Sequence, residues 1–372
     1  MARDKKEKQD IVHSSRSAAL NASQLVDALK KKFGSNIVNV ASDVYLGVPR
    51  IPTGIFPLDY ALGGGYAGGR IQMLFGKKSS GKSTVLIRTL ASAQNRCARC
   101  WAPRALCSCG ENREASVVLI DAEGTFEPDW GRAHGLDPSR LLLVQPEFAE
   151  QAIDIADALL RSKECDVLAV DSVAFLSLAK EQEESVEKEM PGNSPRLMGK
   201  MVRKFVSTLN SIGNDNGGYK PTILLVNQIR YKVGVMFGSN ETVPGGEAIR
   251  YANSIESKHW AEKPEMDEGL GKPECINMRF KIEKNKTSPA YMEGNFKLYL
   301  SEVGHKKKGD IGDEDSIIDL SKKTGFLDYK KPSWVVLDRE FKTQDEAKEA
   351  LILEPEFGAE WRDSLMKVLL AI

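Results

Sequence analysis

At roughly 150 residues per domain, a chain of 372 residues has room for two or three domains. Lys+Arg and Asp+Glu both number 52, so the net charge is zero; this excludes a uniformly basic coat, and any contact with DNA must come from locally concentrated charge. Hydrophobic residues make up 41% of the chain, enough for a sizeable core, yet no apolar run approaches the roughly 18 residues a membrane span needs. The polar N-terminal stretch lacks a signal-peptide h-region, and six cysteines without an export signal predict a reducing, cytoplasmic setting.

Residues 1–20 carry little apolar content and are expected to form a flexible tail. In the segment 21–48, Leu25, Val26, Leu29 and Phe33 recur at helical spacing and Gly34 stands where a C-cap would be. One apolar stripe cannot make a core, so this helix must dock, either on its own domain or on a neighbouring subunit. From 49 to 303, short apolar runs alternate with helical stretches. Ile71–Phe75, Val117–Ile120, Leu141–Val144, Val167–Val170 and Ile223–Val226 read as strands buried on both faces, which predicts an α/β fold with a mostly parallel central sheet flanked by helices. Residues 304–372, opening near the basic run His305–Lys308, are expected to form a small α/β lobe.

Between the strand Ile71–Phe75 and the helical run Thr84–Ala93 lies Gly76-Lys77-Lys78-Ser79-Ser80-Gly81-Lys82-Ser83, which fits G-x-x-x-x-G-K-[ST] in its strand–loop–helix context. Backbone N–H groups and the helix N-terminus suit the phosphates of ATP, Lys82 would reach the β- and γ-phosphates, and the Ser83 hydroxyl would hold Mg²⁺. Two later strands run into acids, Asp121-Ala-Glu123 and Asp171-Ser172. At the carboxyl ends of parallel strands they face the same crevice, with Asp171 able to serve the Mg²⁺ directly or through water and Glu123 able to polarise an attacking water. Taken one at a time, they read equally as strand-terminal turn acids.

Several stretches resemble the RecA family of DNA strand-exchange ATPases. Asn227-Gln228-Ile-Arg230-Tyr-Lys232-Val233 through Gly238, with Gly245-Gly246, resembles the family's second DNA-binding loop, and Ala248–Ala252 its signature segment. Thr53-Gly54, Leu58-Asp59, Gln145-Pro146 and Lys284-Asn-Lys286 extend the match. The resemblance implies a RecA-like core with an N-terminal oligomerisation segment and a C-terminal DNA-capturing lobe. The implied activity is that of an ATP-dependent recombinase, a helical filament on single-stranded DNA that pairs with homologous double-stranded DNA. It implies DNA contacts by Arg230, Lys232, Val233, Gly245 and Gly246. The first DNA loop, matched by position near Lys180–Pro195, is acidic, which shifts weight to Arg196 and Arg203 in the following helix. It further implies that Gln228 senses the γ-phosphate, that Lys284 and Lys286 reach the ATP of the adjacent subunit, that Trp130 stacks on adenine, with Thr84 closing the phosphate loop, and that Phe33, Ile37 and Tyr251 serve the oligomer interface. Lys77 and Lys78 depart from the family, which usually has Pro-Glu there. The alternatives are a ring helicase with the same core and a non-catalytic recombination mediator.

Where the family usually has a short turn, this chain inserts Cys97-x₂-Cys100-x₆-Cys107-x-Cys109. Four thiols so spaced suit a tetrahedral structural Zn²⁺ site; redox-active thiols and an unliganded loop are the other readings. The insertion joins a helix to the start of a strand, which predicts a place at the sheet edge opposite ATP, with Arg99, Arg104 and an exposed Trp101 as a contact surface. Cys165 and Cys275 are isolated and read as core residues.

Overall fold

The computed structural model describes residues 22–33, 48–176, 193–215, 219–231, 241–267, 269 and 271–371. Helix α1 (Ala22–Phe33) belongs to a separate unit and concentrates Lys30, Lys31 and Lys32 in its last turn, where cations complement the helix dipole. The expected tail, Ile37 and residues 180–192 of the first DNA loop lie outside the described residues, while its last three residues open the helix Asn193–Asp215.

The main unit opens with β1 (Arg50–Ile51), α2 (Phe56–Leu62) and β2 (Tyr66–Ala67), then β3 (Ile71–Gly76) and α3 (Lys82–Gln94). It continues through β4 (Val117–Asp121), α4 (Pro128–Ala133), β5 (Leu141–Val144), α5 (Ala149–Ser162), β6 (Val167–Asp171), α6 (Asn193–Asp215) and β7 (Thr222–Gln228). A short ribbon, β8 (Arg230–Tyr231) with β9 (Glu241–Thr242), precedes α7 (Gly246–Ala252) and the long strands β10 (Ile255–Met266), β11 (Pro273–Asn285) and β12 (Glu293–Tyr299).

Nine strands form one sheet in the order β13-β12-β11-β10-β3-β7-β6-β4-β5, where β13 is Ile311–Gly312. The six strands from β10 to β5 are mutually parallel, and β11, β12 and β13 extend the sheet antiparallel. Successive residues of the central strands enter opposite cores. Leu74, Val117, Leu119, Val167, Ala169 and Leu224 pack on one side with α3, while Met73, Val118, Ile120, Leu168, Val170 and Leu225 pack on the other with α5 and α6. That two-sided burial is why these segments read as unbroken apolar runs.

One expected strand departs from this rule. Leu141–Val144 forms β5 as anticipated, but it is the sheet's edge, and Leu142 and Leu143 are 49% and 38% exposed rather than buried on both faces.

The sheet continues past residue 303 through β13. The lobe's own core gathers around Trp361, Phe357, Ile317 and Leu351 from α8 (Glu314–Lys323), α9 (Gln344–Leu353) and α10 (Pro355–Leu370), beside the small sheet of β14 (Asp328–Lys330), β15 (Ser333–Val336) and β16 (Arg339–Phe341). Phe56 of α2 joins this core, and buried Asp313 accepts from the Phe56 backbone N–H at 2.9 Å and from Arg362 at 2.7 Å, tying the lobe to the ATPase core.

Candidate nucleotide site and nucleic-acid interface

The phosphate loop is shaped by close approach. A Cβ on Gly76 would fall 2.1 Å from the His259 carbonyl oxygen and 2.6 Å from Ser80 Oγ, so only glycine fits where β3 meets β10. Gly81 caps α3 in the left-handed region at φ +74°, which glycine adopts at no steric cost. The helix starts at Lys82, two residues before the expected Thr84, so the loop's last residues already present helical N–H groups. Lys82 is buried and donates to the Lys77 carbonyl at 2.6 Å and Ser80 Oγ at 3.2 Å. Burial lowers its pKa, against the pull of Asp171 and Glu123. Lys77, Lys78, Ser79 and Ser83 are exposed around it, while Thr84 is buried.

The three strand ends converge on this loop. Burial pushes the Asp171 carboxyl up to about 6; a hydrogen bond from Ser83 and the charge of Lys82 oppose the rise, and Glu123 and Asp121 add to it. A hydroxyl paired with a carboxylate that lacks full charge compensation is a hard-oxygen donor set, and it fits Mg²⁺. Glu123 Oε1 accepts two hydrogen bonds, from Ser172 Oγ at 2.6 Å and from Gln228 Nε2 at 3.0 Å. The segment holding Glu123 is itself fixed by buried Asp121, which accepts from the backbone N–H groups of Thr125 (3.3 Å) and Phe126 (3.0 Å) and from Gln145 Nε2 (3.3 Å). The sequence motifs include Asp121 and Ser172 without giving them work; their positions beside Glu123 and Asp171 were the available signal.

Beyond Gln228 the chain turns into the ribbon. Asn227 donates to the Pro244 carbonyl at 2.8 Å and accepts from the Gln228 N–H at 2.9 Å, so the return of the loop is tied to the end of β7. Arg230 is exposed at the ribbon, Arg196 and Arg203 are exposed on α6, and Gly245 and Gly246, both at positive φ, begin α7. Lys232 and Val233 lie outside the described residues. At the far end of α7, Lys284 donates to the Arg250 carbonyl and Lys286 to the Tyr251 carbonyl at 3.1 Å, while Tyr251 itself is 73% exposed. Lys284 stands on β11, two strands from β3, and Lys286 follows directly after its last residue. Trp130 is half-buried, edge-on to His134 at 4.4 Å, with Lys308 Nζ 5.9 Å from its ring centre. Within the basic run His305–Lys308, Lys306 is paired with Glu314 and largely buried, which removes its charge from the lobe's surface.

The cysteine insertion lies between the C-terminus of α3 and the N-terminus of β4, at the sheet edge opposite the phosphate loop. The four Sγ atoms all lie within 4.8 Å of one another. Its expected contact surface is corrected. Trp101 is 2% exposed because its indole packs into the core beside Gly68, and Arg99 and Arg104 pair with Glu111 and Glu114.

A phosphate-binding turn between a central strand and a helix, with acids at the ends of β4 and β6 on the same rim, defines a P-loop nucleoside triphosphatase. Residues 19–304 match the family model for the RecA N-terminal domain. Protein RecA of Mycolicibacterium gilvum is 34% identical over 338 residues, covering 89% of this chain and 86% of that protein. Protein RecA of Fusobacterium nucleatum subsp. nucleatum is 34% identical over 302 residues (80% and 72%), and that of Corynebacterium pseudotuberculosis 31% over 374 (99% and 91%). The chain belongs to the RecA family of recombinases, which are DNA-dependent ATPases. The relatives do not favour a ring helicase or a non-catalytic mediator. Among the described residues, no helix is long and apolar enough to cross a membrane.

Proposed function

We propose that this protein assembles as a helical filament on single-stranded DNA in the cytoplasm of a bacterium or a phage-infected bacterial host, and that the filament exchanges its strand into a homologous duplex. The observation that carries this reading is the 3.0 Å hydrogen bond from Gln228 to Glu123. It joins the residue that would activate water to the root of the ribbon that would hold DNA, so a change at either end alters the partner available to the other. ATP would sit on Gly76–Thr84, with Lys82 on its phosphates and Trp130 against the base. Mg²⁺, held by Ser83 and Asp171, would supply charge neutralisation of the phosphates. Glu123 would orient and deprotonate the attacking water, while Gln228 would exchange its carboxylate partner for the γ-phosphate.

Arg196, Arg203, Arg230, Lys232, Val233 and the Gly245–Gly246 amides would form the DNA site. Lys284 and Lys286 would act on the neighbour's ATP. Self-association through Phe33, Ile37 and Tyr251 is supported by the exposure of Tyr251 and by the half-exposed leucines on the unpaired edge β5. One Zn²⁺ would be held by Cys97, Cys100, Cys107 and Cys109. The test is ATP turnover with and without single-stranded DNA, followed by strand exchange with homologous and heterologous duplexes. Turnover without DNA stimulation, or exchange indifferent to homology, would refute the reading.

A further inference from the structure

The cysteine insertion is built into the ATPase core, and this limits what its metal can do. Sγ separations are 3.5 Å for Cys97–Cys109, 3.6 Å for Cys100–Cys107 and 3.3 Å for Cys107–Cys109. Four thiolates at about 2.3 Å from one Zn²⁺ stand about 3.8 Å apart, so the cluster already has nearly the size of a loaded tetrahedral site.

The loop between the first two ligands is closed at both ends. Cys97 N–H donates to the Ala102 carbonyl at 3.0 Å, Trp101 N–H to the Cys97 carbonyl at 2.9 Å, and Arg96 to the Trp101 carbonyl at 2.9 Å. Within this loop Trp101 adopts φ +59°, a conformation a bulky aromatic residue occupies only when its surroundings compel it. The compelled side chain goes straight into the main core. A Cβ added to Gly68 would lie 3.0 Å from the Trp101 indole nitrogen, and the Gly68 N–H is bonded to the Pro49 carbonyl beside β1.

The insertion's other arm grips the sheet. Arg113 accepts the Ala98 N–H on its carbonyl at 2.8 Å and sends two bonds, 2.8 and 2.6 Å, to fully buried Asp166. The Asp166 side chain takes the Ser116 N–H at 2.8 Å and its carbonyl takes the Thr222 N–H at 2.8 Å. The N-terminal ends of β4, β6 and β7 are thereby held together, the same three strands whose far ends bear Glu123, Asp171 and Gln228. Meanwhile Arg99, Arg104 and Arg113 each have an acidic partner inside the insertion or at its root, which leaves little unbalanced positive charge for a nucleic acid.

We infer that the metal is a staple of the ATPase core: by fixing Cys97 and Cys100 on one ion, it pins Trp101 beneath Gly68 and steadies the N-terminal rim of the sheet. This rests on the zinc assignment proposed above, and the experiment separates the two. Purified full-length protein is analysed for zinc, stripped with a chelator, and compared with Cys109→Ser, which alters the exposed ligand. Thermal unfolding and tryptophan emission are read, with Trp101→Phe identifying the contribution of that indole. The expected result is about one zinc per chain. Its loss should lower the unfolding temperature by at least about 5 °C and shift the Trp101 emission to the red, both reversed by added Zn²⁺. If Cys109→Ser does not fold, stripped wild type gives the same readings. Zinc that is bound and removable with unfolding temperature and Trp101 emission unchanged overturns the staple while leaving the metal site standing. So does a loss of DNA binding on stripping without a change in stability, which would make the insertion a docking module. Four titratable thiols and no zinc overturn the metal assignment itself.

Discussion

Glu123→Gln and Glu123→Ala should separate the chemistry of this carboxylate from its structural work. Both hydrogen bonds it receives, from Ser172 and from Gln228, go to the same oxygen, Oε1. A glutamine oriented with its carbonyl in that position keeps both contacts, although each loses its charge assistance. What disappears is the base. General-base contributions of roughly 10²–10⁴-fold correspond to about 3–5 kcal/mol of barrier, so DNA-stimulated turnover should fall by that factor while ATP affinity stays within about threefold. Alanine removes the acceptor as well. Ser172 is fully buried, and leaving its hydroxyl unsatisfied should cost about 1–3 kcal/mol in addition to the same loss of turnover. Steady-state ATPase assays, nucleotide-binding titrations and denaturant unfolding of the three proteins suffice. Turnover above a tenth of wild type in Glu123→Gln would remove Glu123 from the mechanism. Equal stability of the two variants would show that the Ser172 contact carries no weight.

Burial holds the folded-state pKa of Asp171 at about 6, above its ordinary value of 3.8. The stability of the nucleotide-free protein should therefore be greatest, as far as this group is concerned, below pH 3.8, decline as pH rises from there to about 6, and level off above it, a loss of up to about 3 kcal/mol. Denaturant unfolding across that range should show a shallower decline in Asp171→Asn, and parallel curves would contradict the assignment. Arg230→Ala should weaken single-strand binding and reduce the slope of log K against log salt by about 0.7, measured by fluorescence titration; an unchanged slope would place the phosphate contact elsewhere. Lys284→Ala should lower turnover in mixed assemblies through the neighbouring site, visible as a loss that depends non-linearly on the fraction of variant. A strictly proportional loss would confine the lysine to its own subunit, where it already caps the last turn of α7 through the Arg250 carbonyl.

The parts of the fold most legible in the sequence were those with the strongest local signature. β3, β4, β6 and β7 bury both faces, so their apolar runs stand out, and the acids that end β4 and β6 mark the rim where chemistry gathers. The strands from β10 outward were not legible. β10 begins Ile255-Glu-Ser-Lys-His-Trp, with its apolar positions diluted by polar residues that are buried through pairing with β3 and β11. Leu142 and Leu143 show the converse limit, since their exposure follows from β5 being outermost, a fact of strand order that no local pattern contains. Trp101 was misread because its neighbours are cysteine, arginine and proline. The contact that buries it is with Gly68, far away along the chain.

The central strands β3, β4, β6 and β7, buried on both faces, leave only their rims free to vary in length. At the rim bearing Glu123, Asp171 and Gln228, extra residues would displace groups held within about 3 Å of one another. The opposite rim is held as closely at Asp166 and at the four cysteines, but between Cys100 and Cys107 Leu106, 71% exposed, marks a place where chain can be added. Lengthening that span changes loop-closure entropy only logarithmically, so its ends can stay anchored while its middle grows. The molecule thus has one end that fixes its arithmetic and another open to inserted sequence, a natural attachment point for a reporter or a grafted binding element.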